Sequence, residues 1–231
     1  MSSSAQLGLL PWLLGWPEAA DRTTFAAALH AGSCAGIAWT VRADLMALSR
    51  QEILAVGAAS IPAAVAGLVG SDVVETRLGG RRQVAALLAG AGLLLWAADR
   101  RPEAHGVRRR DVAAAALAQA AALAPGVSRS GAALTALRAL KVDRGSAQRL
   151  SLLMSLPVTG GAAALTLLRA DRTALRTMRP ALIAGLPVAA LTAAMCTKGE
   201  RRRGAVPVRA VALYRFGLAG VVAARHRRGS S

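Results

Sequence analysis

A short polar run interrupts an otherwise apolar stretch and contains the residue types that bind an anion. Pro125 cannot continue a helix, and Gly126 adopts backbone angles that other residues avoid, so this pair predicts the end of one helix. Ser128 and Ser130 are suited to cap the next helix, whose free N–H groups and dipole attract negative charge. Arg129 adds a guanidinium group that binds phosphate through two hydrogen bonds. The run therefore predicts a site for phosphate or pyrophosphate.

A purely structural interpretation of the same run is the alternative. The proline and glycine would kink a helix, the serines would bond back to the backbone, and Arg129 would extend to the membrane interface. However, an arginine at the middle of a bilayer costs at least about 2.5 kcal/mol and requires a partner. The position of Arg129 between two serines therefore favours a functional site.

The composition predicts the kind of fold that carries this run. Hydrophobic residues make up 54% of the 231 residues but aromatic residues only 3%, with Ala, Leu, Val and Gly dominant. Small residues of this kind let membrane helices approach closely. The net charge of +17 would indicate nucleic-acid binding in a soluble protein, but the basic residues lie between apolar blocks, as in loops beside anionic headgroups. We predict an all-α, polytopic transmembrane helix bundle with no nucleic-acid partner.

Apolar blocks long enough to cross ~30 Å of hydrocarbon predict six membrane helices. They lie near residues 24–41, 53–70, 84–98, 149–168, 180–197 and 206–224. The stretch 112–140 differs, because Pro125 and Gly126 divide it into two half-length helices. Irregular backbone at membrane depth requires surrounding protein or a water-filled cavity, so we predict a re-entrant loop there. Residues 225–231 are predicted to form a basic tail of a single membrane domain, 1–231.

The polar run and its surroundings resemble the second signature of the undecaprenyl-diphosphate phosphatase family, the bacitracin-resistance membrane phosphatases of bacteria. The resemblance is carried by Gln119 to Gly131 and by Leu150 to Pro157. Weaker similarity links Ser2 to Leu7 with the end of the first signature, residues 28–45 with the helix that follows it, and Tyr214 to Gly217 with the closing helix.

This resemblance implies a bundle with inverted repeats in the bacterial cytoplasmic membrane, in which two re-entrant loops share one polar cavity. It implies hydrolysis of undecaprenyl diphosphate to undecaprenyl phosphate and inorganic phosphate. That reaction recycles the lipid carrier of peptidoglycan synthesis, and thereby serves the cell wall, cell shape and bacitracin resistance. The implied catalytic residues are Ser3 and Arg129, and the implied cofactor is Mg²⁺ or Ca²⁺; a homodimer is compatible with the resemblance. The implied diphosphate-binding residues are Gly126, Ser128, Arg129, Ser130 and Gly131.

Three departures from the family pattern bear on catalysis. The first signature begins with a helix bearing Glu residues that serve the cation and the acid–base steps, whereas residues 1–16 correspond only to a remnant of that re-entrant loop. We expect either a start codon placed too far downstream or a divergent paralogue. Gln6, a polar site residue by position, replaces a His and cannot carry a proton at neutral pH. Ala133 replaces a Thr.

Three residues near the start of the chain are candidates to replace the missing groups. Glu18 and Asp21 stand beside Trp16 and are typical of interfacial charges. His30 lies in an apolar segment, where a packed or weakly paired histidine is more common than a base. The carboxylate ligands that the family uses for its cation are absent from this chain.

Two functions stay open at this point. In the enzyme hypothesis, Ser3 or a water molecule attacks a polyprenyl diphosphate, while Arg129 and a cation stabilise the charge on the transferred phosphoryl group. In the alternative, the chain is a catalytically impaired paralogue that binds or transports a polyprenyl phosphate. Broken helices whose amino ends face an anion are also typical of secondary transporters, and Gln6 and Ala133 weaken catalysis without weakening anion binding.

Overall fold

The protein is described by a computed structural model that covers residues 2–16, 21–204 and 206–228. Within these ranges the regular elements are eleven helices, and no β-strand is present, which confirms the predicted all-α fold. The helices are α1 (Ser3–Leu14), α2 (Arg22–Thr40), α3 (Arg42–Met46), α4 (Arg50–Leu78), α5 (Arg81–Asp99), α6 (Arg109–Ala121), α7 (Arg129–Ala139), α8 (Arg144–Arg169), α9 (Arg172–Thr177), α10 (Arg179–Arg202) and α11 (Val208–Arg228).

Six long helices, α2, α4, α5, α8, α10 and α11, coincide with the six predicted membrane blocks. Three of them are long and apolar enough to cross a membrane: residues Arg50–Gly70 of α4, all of α8 and all of α10. The other three are of sufficient length but less apolar. Two of these carry polar side chains inside their apolar blocks, namely His30 in α2 and Arg215 in α11.

Large apolar side chains project outwards from α4 and α10. Ile61 and Val65 of α4 are 59% and 53% exposed, and Ile183 and Leu191 of α10 are 65% and 63% exposed. Water would penalise such a surface by roughly 25 cal/mol per Å² of apolar area, and soluble proteins rarely expose large contiguous apolar patches. These faces therefore suit hydrocarbon chains, in agreement with a membrane protein.

A buried ion pair fixes the short helix α7 against its neighbours. Arg138 of α7 is 1% exposed and donates to Asp99 Oδ1 of α5 at 3.1 Å. It also donates to the backbone carbonyls of Asp99, Arg101 and Val142. Arg144, at the start of α8, shares the Asp99 carboxylate at 2.9 Å. A buried pair is tolerated when its remaining donors are satisfied, and this one joins the ends of α5, α7 and α8.

The stretch 109–139 forms two short helices, α6 and α7, of 13 and 11 residues, joined by an irregular segment that contains Pro125 and Gly126. Gly126 has a φ of 104°. A Cβ atom at this position would lie 2.8 Å from the carbonyl oxygen of Val84 and 3.2 Å from the backbone nitrogen of Leu88, both in α5. The backbone angle and the close approach to α5 both require glycine.

A path of 112–140 that enters and leaves the same membrane face, and an inverted repeat, stay predictions. Of the segment 1–16, residues 3–14 form α1. Of the predicted basic tail, residues 225–228 continue α11 as its last turn, and residues 229–231 lie outside the described ranges.

We expect Gly126→Ala to lower the free energy of unfolding by about 1–3 kcal/mol, because a side chain there must tolerate a positive φ and push against the α5 backbone. Thermal unfolding of the purified protein in detergent measures the effect. Gly90→Ala in α5 is the matched control, because no atom lies within 4 Å of its added Cβ. The control is expected to be neutral or stabilising by about 0.5–1 kcal/mol. Equal unfolding temperatures for Gly126→Ala and the parent protein would contradict the packing argument.

Candidate functional site

A cavity of about 360 Å³ lies where the amino ends of α1 and α7 meet α2 and α8. Its described wall contains one guanidinium group, one imidazole, one thiol and several hydroxyl groups, but no carboxylate. The polar lining residues are Ser2, Ser3, Ser4, His30, Ser33, Cys34, Ser128, Arg129, Ser130, Ser155 and Thr159. The cavity thus brings together the N-terminal serines and the polar run that the sequence singled out.

The amino end of α7 opens onto this cavity. Ser128 precedes the helix, and its Oγ accepts a hydrogen bond from the N–H of Gly131 at 3.3 Å, which confirms the predicted cap. Ser128 has a φ of 71°, an angle that costs a non-glycine residue about 1–3 kcal/mol and that is commonly retained at functional sites. The N–H groups of Arg129 and Ser130 belong to the first turn, where a helix offers no acceptor, so they present the positive dipole end to the cavity.

The guanidinium group of Arg129 has neither an ion pair nor a hydrogen bond with any residue in the described ranges, although the side chain is partly buried. The partner that a buried arginine requires is therefore not a carboxylate from this part of the chain. Its neighbours in the cavity are hydroxyl groups, His30 and Cys34, none of which carries a compensating negative charge at neutral pH. An anionic ligand would supply that charge.

A second buried arginine lies behind the same helix end. Arg215 of α11 is 1% exposed, and its Nε has no hydrogen-bond partner among the described residues. Its Nη2 lies 3.1 Å from the point where a Cβ of Gly131 would stand. A cation at the amino end of a helix adds to the positive dipole end instead of offsetting it. The sequence analysis named Arg215 only as part of a weak family similarity. The feature that could have identified it as a site residue is a single charge inside an apolar block.

Ser3 and His30 meet on the cavity wall. Ser3 Oγ of α1 lies 2.8 Å from His30 Nε2 of α2, so the fold joins two residues that are 27 positions apart. His30 is therefore hydrogen-bonded, which is one of the two environments, packed or weakly paired, that the sequence suggested for it. A serine and a histidine in such contact have the geometry of a nucleophile and its base.

Two of the three departures from the family pattern, Gln6 and Ala133, are not among the described residues that line the cavity. Gln6 donates a hydrogen bond from Nε2 to the hydroxyl of Tyr214 at 3.0 Å and is not among the described lining residues. Ala133 is fully buried in an apolar cluster with Leu134 and Leu137, so it offers no hydroxyl group to a ligand. Catalysis through either position would need a different residue.

Asp21, one of the two acidic candidates near the start of the chain, is not among the described residues that line the cavity. Asp21 caps α2, and its two carboxylate oxygens accept hydrogen bonds from the Oγ1 of Thr24 at 2.5 Å and its N–H at 2.9 Å. These two hydrogen bonds lower the pKa of the Asp21 carboxyl group, which suits a helix cap and not a proton donor. Glu18 lies outside the described residues.

The divalent cation implied by the resemblance finds no ligand set in the described chain. No group of three or more His, Cys, Asp or Glu side chains is close enough there to hold a metal ion. Mg²⁺ and Ca²⁺ prefer carboxylate and carbonyl oxygens, whereas the described cavity wall offers only His30 and Cys34 as side chains of the kinds that commonly ligate metals. These residues do not fit a hard cation.

An apolar groove of about 640 Å³ begins at Arg129 and extends between α4, α6 and α8. Ile61, Leu68, Leu123 and Leu165 are among its lining residues. Arg129 thus borders both a polar cavity and an apolar groove. That arrangement suits a ligand with an anionic head and a hydrocarbon chain.

Comparison with known proteins identifies the family to which the chain belongs. The family model described as Bacitracin resistance protein BacA matches residues 1–221. The chain is 36% identical over 179 residues to an undecaprenyl-diphosphatase of Gemmatimonas aurantiaca, which covers 69% of this chain and 66% of the relative. It is 38% identical over 182 residues to an undecaprenyl-diphosphatase of Geobacter sulfurreducens, covering 70% and 67%.

A longer match is found with a protein named undecaprenyl-diphosphatase 2 from Stutzerimonas stutzeri. The two chains are 32% identical over 218 residues, which covers 85% of this chain and 80% of the relative. Against the first two relatives, by contrast, the matched part spans about two thirds of their length. Because the family model covers all but the last ten residues, the chain belongs to the family of Bacitracin resistance protein BacA.

Proposed function

We propose that this chain is a membrane phosphatase that hydrolyses undecaprenyl diphosphate to undecaprenyl phosphate and inorganic phosphate. The observation that carries the proposal is the position of Arg129. It stands at the amino end of α7 without a carboxylate partner in the described chain, and it borders both the polar cavity and the apolar groove. The activity in the names of the relatives supports the same reaction, which recycles the lipid carrier of the cell wall.

The cavity is suited to hold the diphosphate head. The first N–H groups of α7 and the hydroxyl groups of Ser128 and Ser130 donate to phosphate oxygens, and Arg129 donates two charge-assisted hydrogen bonds. During phosphoryl transfer, negative charge concentrates on the bridging oxygen that leaves. Fixed positive groups lower the barrier when they are directed at that charge, because they need no reorganisation during the reaction.

The apolar groove is suited to hold the prenyl chain. Each methylene group that leaves water for such a surface contributes about 0.8 kcal/mol, so the tail supplies affinity while the head supplies orientation. The terminal phosphoryl group then lies in the polar cavity beside Ser3, which is the proposed nucleophile. Location in the bacterial cytoplasmic membrane, a divalent cation and a homodimer stay predictions of the family resemblance.

A catalytically impaired binder or transporter of polyprenyl phosphates is the second candidate function. It is favoured by the absence of a carboxylate from the described cavity wall and by the burial of Ala133 in an apolar cluster. Anion binding through Arg129 and the end of α7 is common to both functions. Only the phosphatase would release inorganic phosphate, so hydrolysis of the bound lipid distinguishes the two functions.

We expect the purified chain to release inorganic phosphate from farnesyl diphosphate and undecaprenyl diphosphate in detergent. Arg129→Gln is expected to lower kcat/KM at least about 100-fold, because it removes a charged donor from the transferred group. Arg176→Gln, an exposed position in α9, is the matched control and is expected to leave the rate unchanged. A parent chain that binds the lipid but releases no phosphate would support the binder instead.

The two cysteines provide a direct readout of binding. Cys34 lies in the cavity wall, whereas Cys196 is an exposed thiol on α10, and both are free. In the Cys196→Ser variant, farnesyl diphosphate is expected to slow maleimide labelling of Cys34 in proportion to the occupied fraction of sites. In the Cys34→Ser variant, labelling of Cys196 should be indifferent to the ligand. Equal labelling of Cys34 with and without saturating ligand would contradict head-group binding in this cavity.

Removing either of two buried arginines should have opposite effects on stability. Arg215→Met is expected to preserve or raise the unfolding temperature, since it removes an unpaired buried charge, while weakening protection of Cys34 by the diphosphate. Arg138→Met is the matched comparison. It breaks the buried pair with Asp99 and is expected to cost about 3–5 kcal/mol of stability. Destabilisation of similar size in both variants would mean that Arg215 has a structural role.

A further inference from the structure

The Ser3–His30 contact has a catalytic geometry that the family pattern does not assign. We propose that His30 of α2 is the general base that activates Ser3, an inference that rests on the proposed phosphatase function. Ser3 Oγ is 2.8 Å from His30 Nε2, within the range over which a base accepts a proton directly. Both residues line the cavity that also holds Arg129.

No other described side chain in the cavity can take the proton from Ser3. The remaining titratable groups of the wall are Arg129, which stays protonated, and the Cys34 thiol, which is a weak acceptor. No Asp or Glu of the described residues lines the wall, so no carboxylate there competes with His30 as the acceptor. His30 accepts from the Ser3 hydroxyl when its ring hydrogen is on Nδ1.

The position at which the family has a histidine cannot perform this task here. Gln6 carries an amide, which has no proton affinity in the useful range, and it is hydrogen-bonded to the Tyr214 hydroxyl of α11. The described cavity wall does not include it. The proton acceptor therefore comes from α2 instead of α1.

The backbone of α2 is firmly positioned for this role. A Cβ atom at Gly32 or Gly36 would overlap the backbone carbonyl groups of Leu186 or Ala190 in α10. Glycine at both positions lets the two helices pack with their backbones in contact, as small residues do in membrane bundles. His30 stands within one turn of this contact, so its backbone belongs to a closely packed helix pair.

The reaction balances with water as the only co-reactant. As the Ser3 Oγ–H bond breaks, its proton moves to His30 Nε2 while Oγ bonds to the terminal phosphorus. The bond from that phosphorus to the bridging oxygen breaks, and undecaprenyl phosphate leaves with the electron pair. The imidazolium gives its proton to solvent. Water then attacks the phosphoserine, His30 takes the proton from that water and returns it to Oγ, and inorganic phosphate departs.

The test compares His30→Gln with His105→Gln, because His105 lies in the connection between α5 and α6 and does not line the cavity. Loss of a general base is expected to lower kcat for farnesyl diphosphate by about 10²–10⁴-fold. The Kd of the diphosphate, read from protection of Cys34, is expected to stay unchanged in His30→Gln. His105→Gln should retain the parent values of both quantities.

Added imidazole provides a second readout that a structural role would not produce. In His30→Ala, imidazole entering the vacated space should restore part of the phosphate release, while it should leave the rate of Ser3→Ala unchanged at its residual level. An unchanged kcat in His30→Gln would overturn the role of His30 as general base but would leave the phosphatase function intact. Loss of binding together with release, without rescue by imidazole, would overturn it in favour of a structural role. A parent chain that binds the lipid without turnover would overturn the phosphatase function as well.

Discussion

Uncompensated positive charge at the amino end of α7 is the constraint on which the rest of the structure depends. Arg129 and Arg215 converge there with the helix dipole, and no described carboxylate neutralises them. Arg138, on the same helix, is by contrast a structural arginine, because its guanidinium group is paired with Asp99 and with three backbone carbonyl groups. A buried arginine with all its partners, such as Arg138, stabilises the fold around the site. A buried arginine without a carboxylate partner, such as Arg129, belongs to the site itself.

The rest of the architecture keeps this charge in place. Gly126 lets the segment between α6 and α7 press against the α5 backbone, and this contact directs the end of α7 into the cavity. The most apolar helices, α4 and α10, turn large side chains outwards, where lipid covers them at little cost. The less apolar helices α2 and α11 supply His30 and Arg215 to the interior.

Anion binding and hydrolysis make different demands on the same cavity. Binding needs only positive charge and N–H donors, which α7 provides. Hydrolysis also needs a group that accepts a proton at neutral pH, and few side chains meet that requirement. Where several helices border one cavity, an acceptor from one helix can replace an acceptor from another if both reach the same nucleophile. The Ser3–His30 contact provides this arrangement in a chain that carries Gln6.

The sequence alone was sufficient to predict the all-α fold, the six long helices and the broken pair α6–α7. The signals were the apolar blocks and the Pro125–Gly126 interruption, because hydrophobic length and helix-breaking residues act locally. The anion-binding run was also readable, since capping and guanidinium chemistry depend on neighbouring residues. The Ser3–His30 contact, the location of Arg215 behind Gly131 and the turning of Gln6 towards Tyr214 were not readable. Each joins residues of different helices, as far as 208 positions apart for Gln6 and Tyr214, and a single sequence carries no local signal for which helix faces meet. Tertiary packing alone brought these residues together, because the way in which the helices approach one another decides which of their side chains come into contact.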